Sequence, residues 1–237
     1  MGRCFVLVHG AWHGGWCWGR VHPLLEQSGH TVFTPTQTGL GERAHLLSRE
    51  IDLTLFVEDI VRVIEMERLN EIVLVGHSFA GAAITGVADR IAGRLRQLVY
   101  LDALLVRTGE TPMSRVPPEI AEQRRKASQD FDGGLSMPIP APAAFGITRP
   151  EDVDWVAGRL TPHPRNTFET ALTLNHPIAN GVPATYIACA DPWYAPLASS
   201  RERARGFGWP MREIATGHDA MVTAPGDLVR MLIEIAA

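Results

Sequence analysis

The sequence predicts an α/β fold: a mostly parallel sheet flanked by helices, with an inserted helical cap. Three observations carry that prediction. Short unbroken apolar runs recur along the chain, at Cys4-Phe5-Val6-Leu7-Val8, Ile72-Val73-Leu74-Val75, Leu98-Val99-Tyr100-Leu101 and Tyr186-Ile187-Ala188-Cys189. Runs without polar alternation suit strands whose sheet is covered on both faces. Between them lie stretches with apolar residues at helical spacing, as in Leu55, Val57, Ile60, Val61 and Ile64. Finally, residues 104–181 concentrate prolines and show no strand pattern, which marks an insertion rather than more sheet.

Taken in order, the first strand runs into His9-Gly10-Ala11. A helix is expected over residues 16–27, with Val21, Leu24 and Leu25 on one face and Ser28-Gly29 as its stop. A short strand over residues 30–35 leads to a Gly-rich loop, and a helix over 54–66 precedes the strand that begins at Ile72. After an Ala-rich helix, a strand over 97–102 ends in Asp102, and the C-terminal ends of strands are where open α/β sheets place ligands. Short helices are expected in the insertion over 119–128, 152–160 and 166–174, anchored by Phe145, Trp155, Leu160, Phe168 and Leu172. The sheet resumes at Ala184, Met211-Arg212-Glu213-Ile214 forms a last strand, and a helix over 227–235 closes the chain. The core thus comprises residues 1–103 and 182–237, and the cap residues 104–181.

The most informative stretch is Val75-Gly76-His77-Ser78-Phe79-Ala80-Gly81, where an apolar strand turns through small residues into a helix. It reads as a nucleophile elbow, which departs from Gly-x-Ser-x-Gly by one methyl group at Ala80. A serine nucleophile needs a base, an acid that orients the base, and donors for an oxyanion. The base is expected in the loop after the last strand, where Thr216-Gly217-His218 lies. His77 is expected to point away from Ser78, and His13 and His163 to be surface or structural. The oxyanion donors are expected to be the backbone N–H groups of Ala11 and Phe79.

Composition narrows the partners. With 237 residues, of which 46% are hydrophobic and 20% charged, the chain can bury a large core, and a net charge of −4 with no long Lys or Arg run argues against a nucleic-acid or anionic-membrane binder. Three cysteines, Cys4, Cys17 and Cys189, with no Cys/His cluster, suggest neither a disulfide framework nor a zinc site. No apolar run is long enough to span a membrane, and the chain enters a strand directly after Met1-Gly2-Arg3, so a cytoplasmic location is expected. The expected partner is a small ester; a homodimer stays open.

Val8-His9-Gly10-Ala11-Trp12-His13-Gly14-Gly15-Trp16, Gly76-His77-Ser78 and Gly217-His218 resemble the plant methyl-ester hydrolase and hydroxynitrile lyase branch of the α/β-hydrolases. The resemblance implies an α/β-hydrolase fold and a cofactor-free, metal-free hydrolase of small carboxylic esters, with Ser78, His218 and an acid as triad. In the plant relatives the acid follows the penultimate strand, which makes Asp191 a candidate, but aligning Cys189 with their cysteine puts Pro192 at the acid's position. Asp102 ends the strand after the elbow helix, the place where haloalkane dehalogenase-like members carry theirs, and is preferred, with Asp191 as alternative. The lyases have a threonine and a lysine where this chain has Gly10 and Asp219, which disfavours cyanohydrin cleavage. Gly10, Trp12, Phe79, Phe145, Trp155, Leu160 and Met221 are expected to line a largely apolar pocket that favours neutral esters over charged ones.

Overall fold

The computed structural model describes residues 2–237. Its centre is a six-stranded sheet in the order β2-β1-β3-β4-β7-β8, formed by Thr31–Phe33, Cys4–Val8, Ile72–His77, Leu95–Leu101, Ala184–Cys189 and Met211–Ile214. Every neighbouring pair is parallel. The runs that lack alternation are the inner strands: all six residues of β3 and all six of β7 are buried. Helices α1 (His22–Gln27), α2 (Leu53–Met66), α3 (Ala80–Ile91), α7 (Ala198–Gly206) and α9 (Pro225–Ala236) accompany the sheet, and α8 (Ala220–Thr223) is a single turn before α9. Asp52 caps α2 by accepting from the Leu55 N–H at 2.9 Å, while Phe56, Ile60 and Ile64 are fully buried on its inner face.

No strand of this sheet lies between Leu101 and Ala184. That segment carries α4 (Pro118–Asp132), α5 (Pro150–Ala157), α6 (Asn166–Glu169) and a two-residue antiparallel ribbon of β5 (Ser136–Met137) with β6 (His163–Pro164). Among the described residues no helix is long and apolar enough to cross a membrane. All three cysteines are free, with Cys17 and Cys189 buried.

Three elements differ from the sequence reading. Residues 16–27 do not form one helix: a 3₁₀ turn over Gly15–Trp18 gives way to α1, which has Pro23 in its first turn. Proline has no N–H to bond back to the previous turn, so it starts a helix rather than continuing one. Helix α6 stops at Glu169 because the backbone beyond it pairs elsewhere, the Leu172 N–H with the Glu110 carbonyl and the Gly109 N–H with the Leu172 carbonyl. Helix α7 was not expected at all. Its buried face consists of Ser200, Arg201 and Ala204, so it carries no apolar stripe for periodicity to reveal.

Candidate active site

The C-terminal ends of β1, β3 and β4 lie side by side, with Val8 opposite Gly76 and His77 opposite Leu101. Ser78 follows β3 and Asp102 follows β4. The ladder continues one residue past each strand, since the Ser78 N–H donates to the Leu101 carbonyl at 3.1 Å and the Asp102 N–H to Ile187 at 2.7 Å. Ser78 has φ +55°, a left-handed conformation that a side chain enters only under constraint. Neighbouring contacts impose it. A Cβ on Gly81 would stand 2.2 Å from the Leu104 carbonyl oxygen, and one on Gly76 2.8 Å from Ile84 Cδ1. The turn therefore leaves no room for a side chain at 81 and little at 76, where Ile84 would have to move, whereas Ala80 is accommodated, fully buried.

His218 Nε2 is 2.8 Å from Ser78 Oγ, and His218 Nδ1 is 2.6 Å from Asp102 Oδ2. Asp102 is completely buried, whereas Asp191 is exposed and makes no side-chain bond to His218. The other carboxylate oxygen of Asp102 accepts from Arg201, at 2.6 Å from Nη2 and 3.2 Å from Nε, and Arg201 is itself fully buried. Asp102 also has a left-handed φ, +40°. Tyr194 stacks on the His218 ring, with centroids 4.1 Å apart and planes at 19°.

Opposite Ser78 stands the loop after β1. The N–H groups of Ala11 and Phe79 have no acceptor among the described residues, and both residues line the narrow cleft that contains Ser78. Trp12, with φ +65°, ties this loop to the cap: its N–H donates to His163 Nδ1 at 3.2 Å and its indole N–H to the Met137 carbonyl at 3.3 Å. The model of the alpha/beta hydrolase family matches residues 5–231. The chain belongs to that family. It is 40% identical to a carbendazim hydrolyzing esterase of Nocardioides sp. (strain SG-4G), over 98% of both chains. It is 29% identical to methyl jasmonate esterase 1 of Vitis vinifera, over 72% of this chain and 65% of that one. An extracellular alpha/beta-hydrolase from a Paenibacillus species has the same fold, with a TM-score of 0.87 at 21% identity over 98% of both chains.

Behind Ser78 and His218 this alpha/beta hydrolase buries a histidine network. His13 Nδ1 donates to the Ala11 carbonyl at 2.7 Å and Nε2 to Asp219 Oδ2 at 2.9 Å. Both ring nitrogens face acceptors, so the ring is an imidazolium. Burial opposes that charge, but Asp219 outweighs it and raises the His13 pKa; Asp219 is lowered because His13 overcomes its own burial. His13 is thus internal, not a surface residue. Asp219 is likewise not a bare carboxylate facing a ligand, as the argument against cyanohydrin cleavage assumed, but one half of an ion pair. His77 points away from Ser78 Oγ and donates from Nε2 to the His218 carbonyl at 3.0 Å. Burial, helped by His218, holds its pKa well below the ordinary value.

His77, His218 and Asp219 bring ligand atoms within 4.8 Å of one another, a spacing that could suit a metal ion. His77 Nδ1 and Asp219 Oδ1 are buried without a hydrogen-bond partner, but both nitrogens of His218 hold Ser78 and Asp102, Nε2 of His77 holds a carbonyl, and the other Asp219 oxygen holds His13. A metal ion would have to break the Ser78–His218–Asp102 chain.

A chamber of about 470 Å³ opens beside the Ser78 cleft, walled by Trp12, Ile120, Met137, Ile139 and Phe145. Of the residues expected to line a pocket, Trp12 and Phe145 line this chamber and Phe79 the cleft. Gly10 lies against Ser78, where an added Cβ would be 2.9 Å from Ser78 Cβ. Trp155, Leu160 and Met221 line neither space. The Trp155 ring instead packs on Trp16, with centroids 5.4 Å apart, and under the Arg20 guanidinium. Leu160 and Met221 are buried in the core. The sequence reading missed three residues at the site, Arg124, Tyr194 and Arg201. For Arg124 a signal existed, since Ile120, Gln123, Arg124 and Ala127 share one face of α4 at helical spacing, and all four line the chamber.

Proposed function

We propose that this hydrolase is a serine carboxylesterase that cleaves small, largely apolar esters through an acyl-enzyme on Ser78. The observation that carries this reading is the hydrogen-bonded chain from Ser78 Oγ through His218 to Asp102. In the first half-reaction Ser78 Oγ bonds to the ester carbonyl carbon as its proton passes to His218 Nε2. Asp102 holds the Nδ1–H and balances the imidazolium. Charge develops on the carbonyl oxygen, which the free N–H groups of Ala11 and Phe79 can receive. Collapse breaks the bond to the alcohol oxygen, which departs with the His218 proton. Water, deprotonated by His218, then attacks the acyl carbon and releases the acid, and the proton returns to Ser78.

The relatives named for carbendazim and methyl jasmonate support an esterase, as does the apolar chamber. No cofactor enters the scheme, and a small ester is the only partner it needs. A fluorophosphonate probe is expected to label Ser78, with labelling lost in Ser78→Ala and steeply reduced in His218→Ala. Asp102→Asn is expected to lower kcat on p-nitrophenyl acetate by on the order of 10⁴-fold, the loss known for a tautomer-fixing aspartate in serine proteases, while Asp191→Asn stays within about tenfold of wild type. Labelling at another residue, or collapse in Asp191→Asn alone, would refute this assignment.

A further inference from the structure

The cap presents a cation to the Ser78 cleft. Arg124 lines both the chamber and the cleft. Other arginines each have a carboxylate partner, though some share one: Arg125 and Arg165 pair with Glu169, Arg115 with Glu110, and Arg149 and Arg20 with Asp152. Among the described residues Arg124 has no carboxylate within ion-pair distance, and neither space is lined by any Asp or Glu. The guanidinium instead lies over two aromatic faces, 5.7 Å from the Trp12 centroid and 5.5 Å from that of Phe168. These rings hold its position; the guanidinium donates one N–H to the Tyr194 hydroxyl oxygen and keeps its other N–H groups for a ligand. Its field reaches the buried His163, whose pKa burial lowers first and His9 and Arg124 lower further.

Tyr194 lines the same two spaces and stacks on His218. Its phenol is raised by burial and partly drawn back by Arg124, so it carries its proton at neutral pH and is a donor beside the cation. Two donors thus converge at the junction of an otherwise apolar chamber with the nucleophile's cleft. The Trp12 indole N–H is already spent on Met137. A half-desolvated guanidinium without a counter-charge is unfavourable until a ligand brings an acceptor.

We infer that Arg124 and Tyr194 form a polar subsite that binds an oxygen acceptor, a ketone or carboxylate oxygen, on the part of the ester remote from the scissile bond. The inference rests on the esterase reading and narrows its substrate class to bifunctional esters. It also reverses the expectation, drawn from apolar residues alone, that charged esters are excluded.

Binding to the Ser78→Ala protein tests the subsite without turnover. Three methyl esters of similar length serve as probes in calorimetric titration: methyl hexanoate with no second acceptor, methyl 5-oxohexanoate with a ketone, and monomethyl glutarate with a carboxylate. At least one acceptor-bearing ester should bind about tenfold or more tightly than methyl hexanoate, the range of one charge-assisted hydrogen bond. Adding Arg124→Met should reduce that ratio to about one, and Arg124→Lys should restore it for the carboxylate more than for the ketone. A gain confined to monomethyl glutarate identifies an anionic substrate, and a gain for both identifies any oxygen acceptor. If neither ester reaches that tenfold gain over methyl hexanoate, or the ratio survives Arg124→Met, the subsite does not exist. Failure of the esterase reading would appear separately, as wild-type protein that turns over none of these esters or p-nitrophenyl acetate.

Discussion

Arg201 and Asp102 form a wholly buried ion pair, 2.6 Å from Nη2 to Oδ1, on the carboxylate whose other oxygen holds His218. The guanidinium also donates to the carbonyls of Tyr194 and Cys189 and lies 3.4 Å from the Trp193 ring centroid. Such a pair stabilises little in total, because two charges have left water, but removal of one partner strands the other. Arg201→Met is expected to destabilise the protein by about 3–5 kcal/mol, whereas Asp102→Asn/Arg201→Met, which removes both charges, should regain most of that stability in urea unfolding. If Arg201 acts on turnover through Asp102, the double variant should be no slower than Asp102→Asn alone. Additive kcat losses would mean that Arg201 matters independently of the acid.

The elbow predicts opposite outcomes at adjacent positions. Gly81→Ala places a methyl group 2.2 Å from a backbone oxygen that cannot swing away, so the Leu104 segment or Ser78 must shift. A displacement of about 1 Å at a nucleophile can cost on the order of 10²-fold in rate. Ala80→Gly removes only a buried methyl group at the start of α3 and should cost about 1 kcal/mol of stability with kcat nearly kept. Equal kcat losses in the two variants would show that the turn is not the constraint.

Acid should unfold this protein early. Burial holds His9 down to about 3 and keeps His77 and His163 well below the ordinary value of about 6.5. Their bonds fix the neutral rings. His9 Nε2 accepts from the Gln37 N–H, and His163 Nδ1 accepts from the Trp12 N–H. Below pH ~6.5 the unfolded chain takes up protons that these folded rings refuse, so stability falls with pH at about 1.4 kcal/mol per unit for each such group. His13 and Asp219 work the other way. The raised His13 contributes stability that is present below the unfolded histidine value and lost as pH rises through its folded value. The lowered Asp219 contributes stability that is lost only as pH falls through its own folded value. The three buried depressed rings, together with His30, which burial also lowers, outweigh one raised ring, so the urea midpoint should drop between pH 7 and pH 5; a midpoint that rises over that interval would contradict this balance.

Cyanide release from mandelonitrile should stay near background. The position after His218 holds Asp219, paired with His13, so the ammonium that the lyases carry at that position is missing; the unpaired Arg124 reaches the cleft from α4 and not from that position. Release of cyanide that depends on Ser78 would overturn this expectation.

Local sequence was enough for whatever a local pattern controls. The unbroken apolar runs became inner parallel strands because only a doubly covered sheet can bury both of their faces. The small residues around Ser78 announced a tight strand-to-helix turn, and Gly217-His218 fell after the last strand. What packing decides was not legible there. The sequence preferred Asp102 to Asp191 from its place at a strand end, but the contact itself joins His218 to a residue 116 positions away and depends on the register of β4 beside β7 and on the loop after β8. Arg201 stayed hidden because α7 buries a polar face, and a helix without an apolar stripe has no period to read. Trp155 misled for the reverse reason: an aromatic residue in the cap announces burial but not which neighbour it packs against. Arg124 shows the same limit, since the sequence places it on the inner face of α4, but only the fold leaves it without a carboxylate beside Ser78.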